Sequence, residues 1–230
     1  DMALEDYIRS LSDESLLSLP GESFMYSSIG YDVLGDVIAK ASGQSFEQHM
    51  LESVLIPLGM DNSSFLLSEE NPDLLAEPYT YDEDGVVVAT GYYPYARRHG
   101  PASALWTNVE DLARYADALL QHGEVEGTQV FSASAIDEMW TPYTETGWAE
   151  WFGPTWESYG MGWLLGEVDG HLVPNHTGGM DDGYQAHLLL VPDEGFAVIA
   201  LVNIFDRDEG SFRAYGIADE VMKVLLGMKG

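Results

Sequence analysis

The sequence predicts an α+β protein: a mainly helical first part, residues 1–145, followed by an antiparallel sheet and a final helix in residues 146–230. In the first part, apolar residues recur at the spacing of amphipathic helices. In the second part, short apolar runs alternate with turn dipeptides, which is typical of consecutive hairpins. Helices first, then hairpin strands and one covering helix are the order of an α+β domain.

Two helices are predicted between Ser28 and Pro57. The first follows Ser28 and ends at Gly43, because glycine readily adopts the left-handed conformation that ends a helix. Its recurring apolar residues are Val33, Leu34, Val37, Ile38 and Ala41. The second helix begins at Ser45, where Ser45 and Gln48 fit a capping box, and it ends before Pro57.

Residues 62–101 are rich in turn residues and tyrosines, so we expect a long surface loop there. Within it, Asp84-Gly85 before three valines predicts one hairpin. A third helix follows. Asn108 is positioned to cap its first turn, which also contains Asp111, and the helix ends at Gly123.

Strands dominate the second part of the chain. Residues 159–166 and 171–176 flank Asp169-Gly170, and residues 185–191 and 196–203 flank a Pro-Asp-Glu-Gly turn, so two hairpins are predicted. An amphipathic helix then covers one face of the sheet. Its expected buried stripe consists of Phe212, Ile217, Ala218, Val221, Met222 and Leu225.

Composition excludes several classes of function. The 230 residues contain 9 Lys and Arg against 39 Asp and Glu, a net charge of −30, so a phosphate backbone would be repelled and nucleic acid is not an expected partner. The chain contains no cysteine, which excludes a thiolate nucleophile and a cysteine zinc site. No apolar run approaches the roughly 20 residues of a membrane span. The acidic surface fits a salt-adapted protein or a merely soluble one, and both interpretations stay open.

Common catalytic and cofactor motifs do not occur. The sequence has no G-x-S-x-G, no P-loop, no G-x-G-x-x-G after a strand and no H-E-x-x-H. A metal site of His176 with Asp181 and Asp182 is conceivable, but two acidic residues in a turn are the commoner arrangement. We therefore expect neither a metal nor a cofactor.

Two segments carry candidate chemistry. In residues 20–31, a Pro-Gly turn brings Tyr26 and Ser28 to the start of a helix, where a tyrosine beside a cation could act as a general base. In residues 174–180, glycines let a substrate approach the backbone, whose N–H groups could face an oxyanion. The alternatives are a capping serine with a core tyrosine, and an ordinary glycine-rich turn.

Taken together, these segments resemble the serine β-lactamase-like superfamily, in particular its class C β-lactamase, D-Ala-D-Ala carboxypeptidase and family VIII esterase branch. The family motifs are S-x-x-K, Y-x-N and K-T-G or H-T-G. Here the second is similar to Tyr26-Ser27-Ser28 and the third to His176-Thr177-Gly178. The resemblance covers nearly the whole chain, with supporting stretches at residues 20–21, 57–60, 101–105, 111–113, 159–163, 183–184 and 192–195.

This resemblance implies an acyl-enzyme mechanism within an antiparallel sheet flanked by helices. It makes Tyr26 the base or proton relay and places His176 where a lysine or histidine tunes that tyrosine and meets a substrate carboxylate. Thr177 and Gly178 would lie against the substrate, and the N–H of Gly179 would form half of the oxyanion hole. It also favours a periplasmic or secreted location.

Two departures from the family pattern matter. Ser28 replaces the asparagine of Y-x-N and offers one hydroxyl instead of an amide, which favours esters over β-lactam or D-amino-acid peptide amides. No S-x-x-K occurs, because Lys40, Lys223 and Lys229 are preceded three residues earlier by valine, glutamate and leucine.

We therefore expect the C-terminal portion of a longer serine hydrolase, without its nucleophile helix and N-terminal strands. Such a portion should leave a sheet edge and helix faces uncovered, so the missing segment or an oligomer partner should associate with it. The alternative is a non-catalytic binding module for peptidoglycan-like peptides or a protein. The run Trp148, Trp151 and Trp156 fits an acyl pocket or core packing, and both stay open.

Overall fold

The structure is a computed structural model that describes residues 2–67, 72–180, 183–205 and 213–228. Its contacts divide the chain into two compact units. The first unit comprises residues 1–68 and 95–114, and the second comprises residues 69–94 and 115–230. The chain thus passes between the units three times. The sequence predicts instead a single boundary after residue 145, between a helical part and a sheet part, and that boundary stays a prediction.

The first unit is helical, as predicted. Its helices are α1 (Met2–Ser10), α2 (Ser28–Ser42), α3 (Phe46–Met50), α4 (Gly100–Ser103) and α5 (Val109–Leu120), the last of which continues into the second unit. Gly43 ends α2 at φ 71°, and the Asn108 side chain accepts from the Asp111 N–H at 2.8 Å. Ser45 Oγ accepts from the Gln48 N–H at 3.2 Å, but the Gln48 side chain donates to Glu52 instead of returning to Ser45, so only half of the capping box forms.

The inward face of α2 is polar and closely packed. The buried Asp32 carboxylate lies 2.9 Å from Nδ1 of His99, and Asp36 pairs with Lys40. A Cβ on Gly35 would come within 2.1 Å of the Pro101 side chain, so only glycine permits this approach to α4. The apolar stripe of α2 is left on the outside: Val33, Leu34 and Val37 are 38%, 53% and 53% exposed.

The second unit contains a six-stranded sheet with the order β12-β11-β10-β7-β6-β5. Every pairing recorded in it is antiparallel, which confirms the α+β class. The strands of this unit are β1 (Tyr79–Tyr81), β2 (Val87–Ala89), β3 (Glu124–Val125), β4 (Thr128–Gln129), β5 (Thr144–Glu145), β6 (Ser158–Tyr159), β7 (Leu164–Leu165), β8 (Glu167–Val168), β9 (His171–Leu172), β10 (Asn175–Met180), β11 (Tyr184–Val191) and β12 (Phe196–Val202). Its further helices are α6 (Ala133–Met139), α7 (Ala149–Phe152) and α8 (Arg213–Leu225).

The predicted hairpins form where turn residues allow them. β1 pairs with β2 across a turn in which Asp82 Oδ1 accepts from the N–H groups of Asp84 and Val86. β8 pairs with β9 through Asp169 and Gly170, at φ 52° and 86°, the positive values of a type I′ turn. β11 pairs with β12 over seven residue pairs. The hairpin around Asp169 is shorter than predicted, because its strands have two residues each.

The predicted buried stripe of α8 is partly wrong. Ala214, Ala218 and Met222 are fully buried against Leu189 and Val191 of β11. Ile217, Val221 and Leu225 are 51%, 42% and 57% exposed instead, and Phe212 lies outside the described residues. The small side chains of Ala214 and Ala218 lie one turn apart on the same face and let α8 approach the sheet closely. The larger apolar residues of α8 therefore lie on its outer face. β12 ends the order of the sheet on this side, so a sheet edge and two apolar helix faces are uncovered among the described residues.

Candidate active site

The H-T-G segment lies on β10, and its register with β11 fixes where its backbone groups point. The Leu190 N–H donates to the carbonyl of Pro174, and Asn175 to Met180 pair in order with Leu189 to Tyr184. Hydrogen-bonded and non-hydrogen-bonded pairs alternate along an antiparallel ladder. His176 and Gly178 therefore bond to β11, whereas Thr177 and Gly179 direct their N–H and C=O groups to the opposite edge of β10.

That opposite edge is open over the H-T-G segment. β7 is the strand on this side of β10, and their pairing in the described residues comprises Asn175 with Leu164 alone. Gly178 and Gly179 are exposed, and a Cβ on Gly178 would contact only the methyl group of Ala186, at 3.8 Å. The outward N–H of Gly179 thus lies where an oxyanion or a substrate strand could accept from it.

His176 is held by two hydrogen bonds. Its Nδ1 is 2.6 Å from the carbonyl oxygen of Thr177, and its Nε2 is 3.1 Å from the hydroxyl oxygen of Tyr159. A carbonyl oxygen can only accept, so Nδ1 carries the proton, and in the neutral ring Nε2 accepts from the Tyr159 hydroxyl. Burial lowers the pKa of His176, so the neutral form is favoured.

A second histidine lies behind the segment. His187 pairs with Thr177 across the ladder, so their side chains share one face of the sheet, opposite to that of His176. His187 is 1% exposed, packs edge to face on Tyr215 at 5.1 Å, and neither ring nitrogen has a hydrogen-bond partner among the described atoms. Burial, reinforced by His176, lowers the pKa of His187 to about 3, so this ring is neutral.

Tyr26 and Ser28 belong to the first unit. The chain turns at Leu19–Glu22, where Gly21 adopts φ 84° and the Glu22 carboxylate accepts from the Leu19 N–H at 3.0 Å. Ser27, not Ser28, caps α2, since its Oγ accepts from the Gly30 N–H at 3.1 Å. The hydroxyl of Ser28 is therefore left for other contacts at an exposed first turn.

The surroundings of Tyr26 raise the pKa of its hydroxyl, whereas a phenolate would need a lowered pKa. Its side chain is not in the core, because the residue is 46% exposed. Partial burial, and to a lesser degree Tyr31, raise the pKa of the Tyr26 hydroxyl, so within this chain Tyr26 is a neutral proton donor. A base role for Tyr26 requires a neighbouring cation that lowers this pKa.

Three other sequence expectations concern features outside this site. The described residues contain no cluster of three or more potential metal ligands, and Asp181 and Asp182 lie outside them. Trp156 is buried and stacks on Phe152 at 4.6 Å, which is core packing, whereas Trp151 is 81% exposed. No described helix is long and apolar enough to cross a membrane.

Sequence reasoning did not assign a role to Tyr159, which contacts His176 directly. A signal for it was available: Tyr159 opens one of the stretches that carry the family resemblance, and it precedes His176 by 17 residues on a neighbouring predicted strand. Pattern alone could not distinguish a core tyrosine from one whose hydroxyl reaches the site.

Comparison with known proteins shows the family of this chain. The family model described as Beta-lactamase matches residues 1–222. The chain belongs to the beta-lactamase family. Its curated relatives include a protein named unguisins hydrolase from Aspergillus campestris, 27% identical over 207 residues. This alignment covers 87% of the chain and 37% of that relative, so the chain spans little more than a third of its length.

Solved structures superpose on nearly the whole chain. An octameric penicillin-binding protein homologue from Pyrococcus abyssi is 27% identical, with a TM-score of 0.80 over 98% of this chain and 48% of its own. A D-amino acid amidase from Ochrobactrum anthropi is 20% identical, with a TM-score of 0.72 over 93% of this chain and 59% of its own. The latter shows that the fold is shared, which confirms the predicted architecture.

Proposed function

We propose that the natural protein carrying this chain is a serine hydrolase that works through an acyl-enzyme. The observation that carries the proposal is the open edge of β10, where the Gly179 N–H points outward beside the hydrogen-bonded His176. The nucleophilic serine and its lysine are supplied from outside these 230 residues, because no S-x-x-K occurs in them.

In the proposed reaction, the serine oxygen adds to the carbonyl carbon of an ester, and the carbonyl oxygen becomes an oxyanion. The Gly179 N–H donates to this oxyanion, which lowers the barrier because the donor is already aimed by the sheet. Collapse expels the alkoxide, which takes the proton of the Tyr26 hydroxyl while Tyr26 receives the proton that the serine hydroxyl lost, and it leaves an acyl-serine. Water then adds to the acyl carbon, one of its protons returns to the serine oxygen, and the acid is released with the serine regenerated.

Esters are the substrates we favour, over D-amino-acid peptides and β-lactam amides. Ser28 presents a single hydroxyl at the start of α2, and Ser27 already performs the capping. An amide substrate would lose the second hydrogen bond that an asparagine offers at this point. An ester leaving group needs less help, because an alkoxide is expelled more readily than the unprotonated nitrogen of an amide.

Association is also part of the proposal. The uncovered faces of α2 and α8 and the edge strand β12 need a cover, and the Pyrococcus homologue is described as octameric. We infer that the rest of the natural polypeptide or a second copy covers them.

The test is pre-steady-state hydrolysis of 4-nitrophenyl acetate by the natural protein. An acyl-enzyme predicts a burst of 4-nitrophenol that matches the concentration of protein. The second candidate is the binding module, because the S-x-x-K motif is missing from this chain. It would be supported if the natural protein had no S-x-x-K, showed no burst and bound peptidoglycan-like peptides in calorimetry.

A further inference from the structure

A row of polar side chains lies behind the H-T-G segment, on the face of the sheet that meets α8. The register places Asn175 and Thr177 of β10 on this face, together with Gln185 and His187 of β11. Asn175, Gln185 and His187 are at most 2% exposed, whereas Thr177 is half-buried. These four residues, named the polar row below, connect the interior of the second unit with the edge of the H-T-G segment.

The polar row contains hydrogen-bonding atoms that the protein leaves unpaired. Among the described residues, Oδ1 of Asn175, Nε2 of Gln185 and both ring nitrogens of His187 have no hydrogen-bond partner. The other amide atoms are paired: Nδ2 of Asn175 donates to the carbonyl of Thr155 at 2.8 Å, and Oε1 of Gln185 accepts from the Ala214 N–H at 3.3 Å. Unpaired polar atoms in the interior destabilise a protein unless another molecule binds them.

The chemistry of these four atoms favours a neutral molecule that both donates and accepts. Oδ1 of Asn175 only accepts, and Nε2 of Gln185 only donates. Burial, with a smaller contribution from His176, lowers the pKa of His187 to about 3, so the neutral ring offers one donor and one acceptor. Water donates twice and accepts twice, and a buried water molecule makes about three hydrogen bonds to atoms of this kind.

We propose that water binds in the polar row and joins the ring of His187 to the hydroxyl of Thr177, which makes His187 a positioning residue. The two residues face each other where β10 and β11 exchange no hydrogen bonds, and side chains are closer at such pairs. The family resemblance places Thr177 against the substrate. The inference rests on the proposed function, and it gives a role in that function to a residue that does not touch the substrate.

The water site is tested by a crystal structure of the natural protein at a resolution that shows ordered water. We expect a water molecule within hydrogen-bond distance of the His187 ring and of the Thr177 hydroxyl. A polar row without ordered water, or one filled by a side chain from another part of the natural protein, would overturn the water site. This test does not depend on whether the protein is a hydrolase.

The positioning role is tested by kcat/KM for 4-nitrophenyl acetate in a double-mutant cycle at neutral pH. His187→Leu removes the ring nitrogens, and Thr177→Val removes the hydroxyl. Since one hydrogen bond contributes about 3- to 10-fold, we expect either variant to lower kcat/KM by this factor. The two losses should not add in the double variant, because both remove the same interaction. Additive losses, or no loss in either variant, would overturn the role.

Two further variants separate positioning from packing. Val198→Ala shortens an apolar side chain of the cluster that α8 covers, and it removes no polar atom. It should lower the midpoint of thermal unfolding but leave kcat/KM within about twofold. His187→Gln keeps a donor and an acceptor, so it should retain more activity than His187→Leu. If Val198→Ala lowered kcat/KM as much as His187→Leu, the loss would reflect packing alone.

The outcomes distinguish this inference from the proposed function. Ordered water together with non-additive losses supports the inference. An acyl-enzyme burst with additive losses, or with none, overturns the role of His187 and leaves the serine hydrolase standing. Without a burst, the proposed function fails and the positioning role with it, while the crystal structure still decides the water site.

Discussion

The two candidate segments are built by different means. The H-T-G segment lies on β10, where six residue pairs with β11 aim the Gly179 N–H and hold the segment on both sides of His176. The Tyr26–Ser28 segment lies at the start of α2, exposed and held locally by a Pro-Gly turn and one capping hydrogen bond. A sheet preorganises backbone donors, whereas a helix start offers side chains that a neighbouring segment must position.

The largest effect should come from the donor that the sheet aims. Gly179→Pro deletes the outward N–H and spares the ladder, because residue 179 does not bond to β11. Since one oxyanion donor contributes about 100- to 1000-fold, we expect kcat to fall by that factor. Gly179→Ala keeps the N–H and should retain most of the activity. Equal kcat values in steady-state assays of the two variants would remove Gly179 from the oxyanion hole.

The Tyr26–Ser28 segment depends on side chains instead. Tyr26→Phe removes the hydroxyl proposed to relay the proton, and a general acid or base contributes about 100-fold or more to kcat. The fold should survive, because Tyr26 is 46% exposed. Tyr31→Phe, which removes a tyrosine hydroxyl from the first turn of α2, is the matched control. The measurement is kcat beside the midpoint of thermal unfolding, and a loss of both in Tyr26→Phe would mean that Tyr26 has a structural role.

A smaller change should follow at Ser28. Ser28→Asn restores the amide of the family pattern at an exposed first turn, so it should not perturb the Ser27 cap. One added hydrogen bond is worth about 3- to 10-fold, and we expect the ratio of amide to ester hydrolysis to rise by this amount. Ser27→Asn, which alters the cap instead, is the control. An unchanged ratio would show that Ser28 does not contact the substrate.

His187, on the strand next to the H-T-G segment, should make the stability of the protein depend on pH. His187 has a pKa of about 3 in the folded chain, below its value of 6.5 when exposed, so the unfolded chain binds the extra proton between these values. The contribution of neutral His187 to stability is therefore fully present above pH 6.5 and is lost as the pH falls toward 3. Relative to His187→Leu, the free energy of unfolding should fall by about 1.4 kcal/mol per pH unit between pH 6 and 4.

His171 supplies the opposite control for this measurement. Its hydrogen bond with Asp193 raises its pKa in the folded chain, so its contribution is present below pH 6.5 and is lost as the pH rises. Urea unfolding of His171→Gln should show a difference from the natural chain that shrinks with increasing pH. If His187→Leu behaved in the same way, the ring of His187 would not be buried and neutral.

Sequence patterns predicted the helix caps and tight turns of this fold, which depend on residues close to one another in the chain. Asn108, Gly43 and Asp169-Gly170 act where the pattern placed them, because caps and tight turns depend on a few neighbouring residues. The buried stripe of α8 was partly wrong, since apolar spacing does not tell which of two possible faces meets the sheet. The motifs singled out Tyr26 and His176, but the partners of His176 are the Tyr159 hydroxyl on β6 and the carbonyl of Thr177, which only the folded structure reveals.

We propose that this chain completes the active site of a serine hydrolase whose nucleophile it does not contain. The most direct measurement is mass spectrometry of the natural protein after treatment with a fluorophosphonate, with peptide mapping of the modified residue. We expect one phosphonylated serine, within an S-x-x-K sequence outside these 230 residues. An adduct on Ser28 or another serine of this chain, or no adduct in a protein that hydrolyses esters, would contradict it.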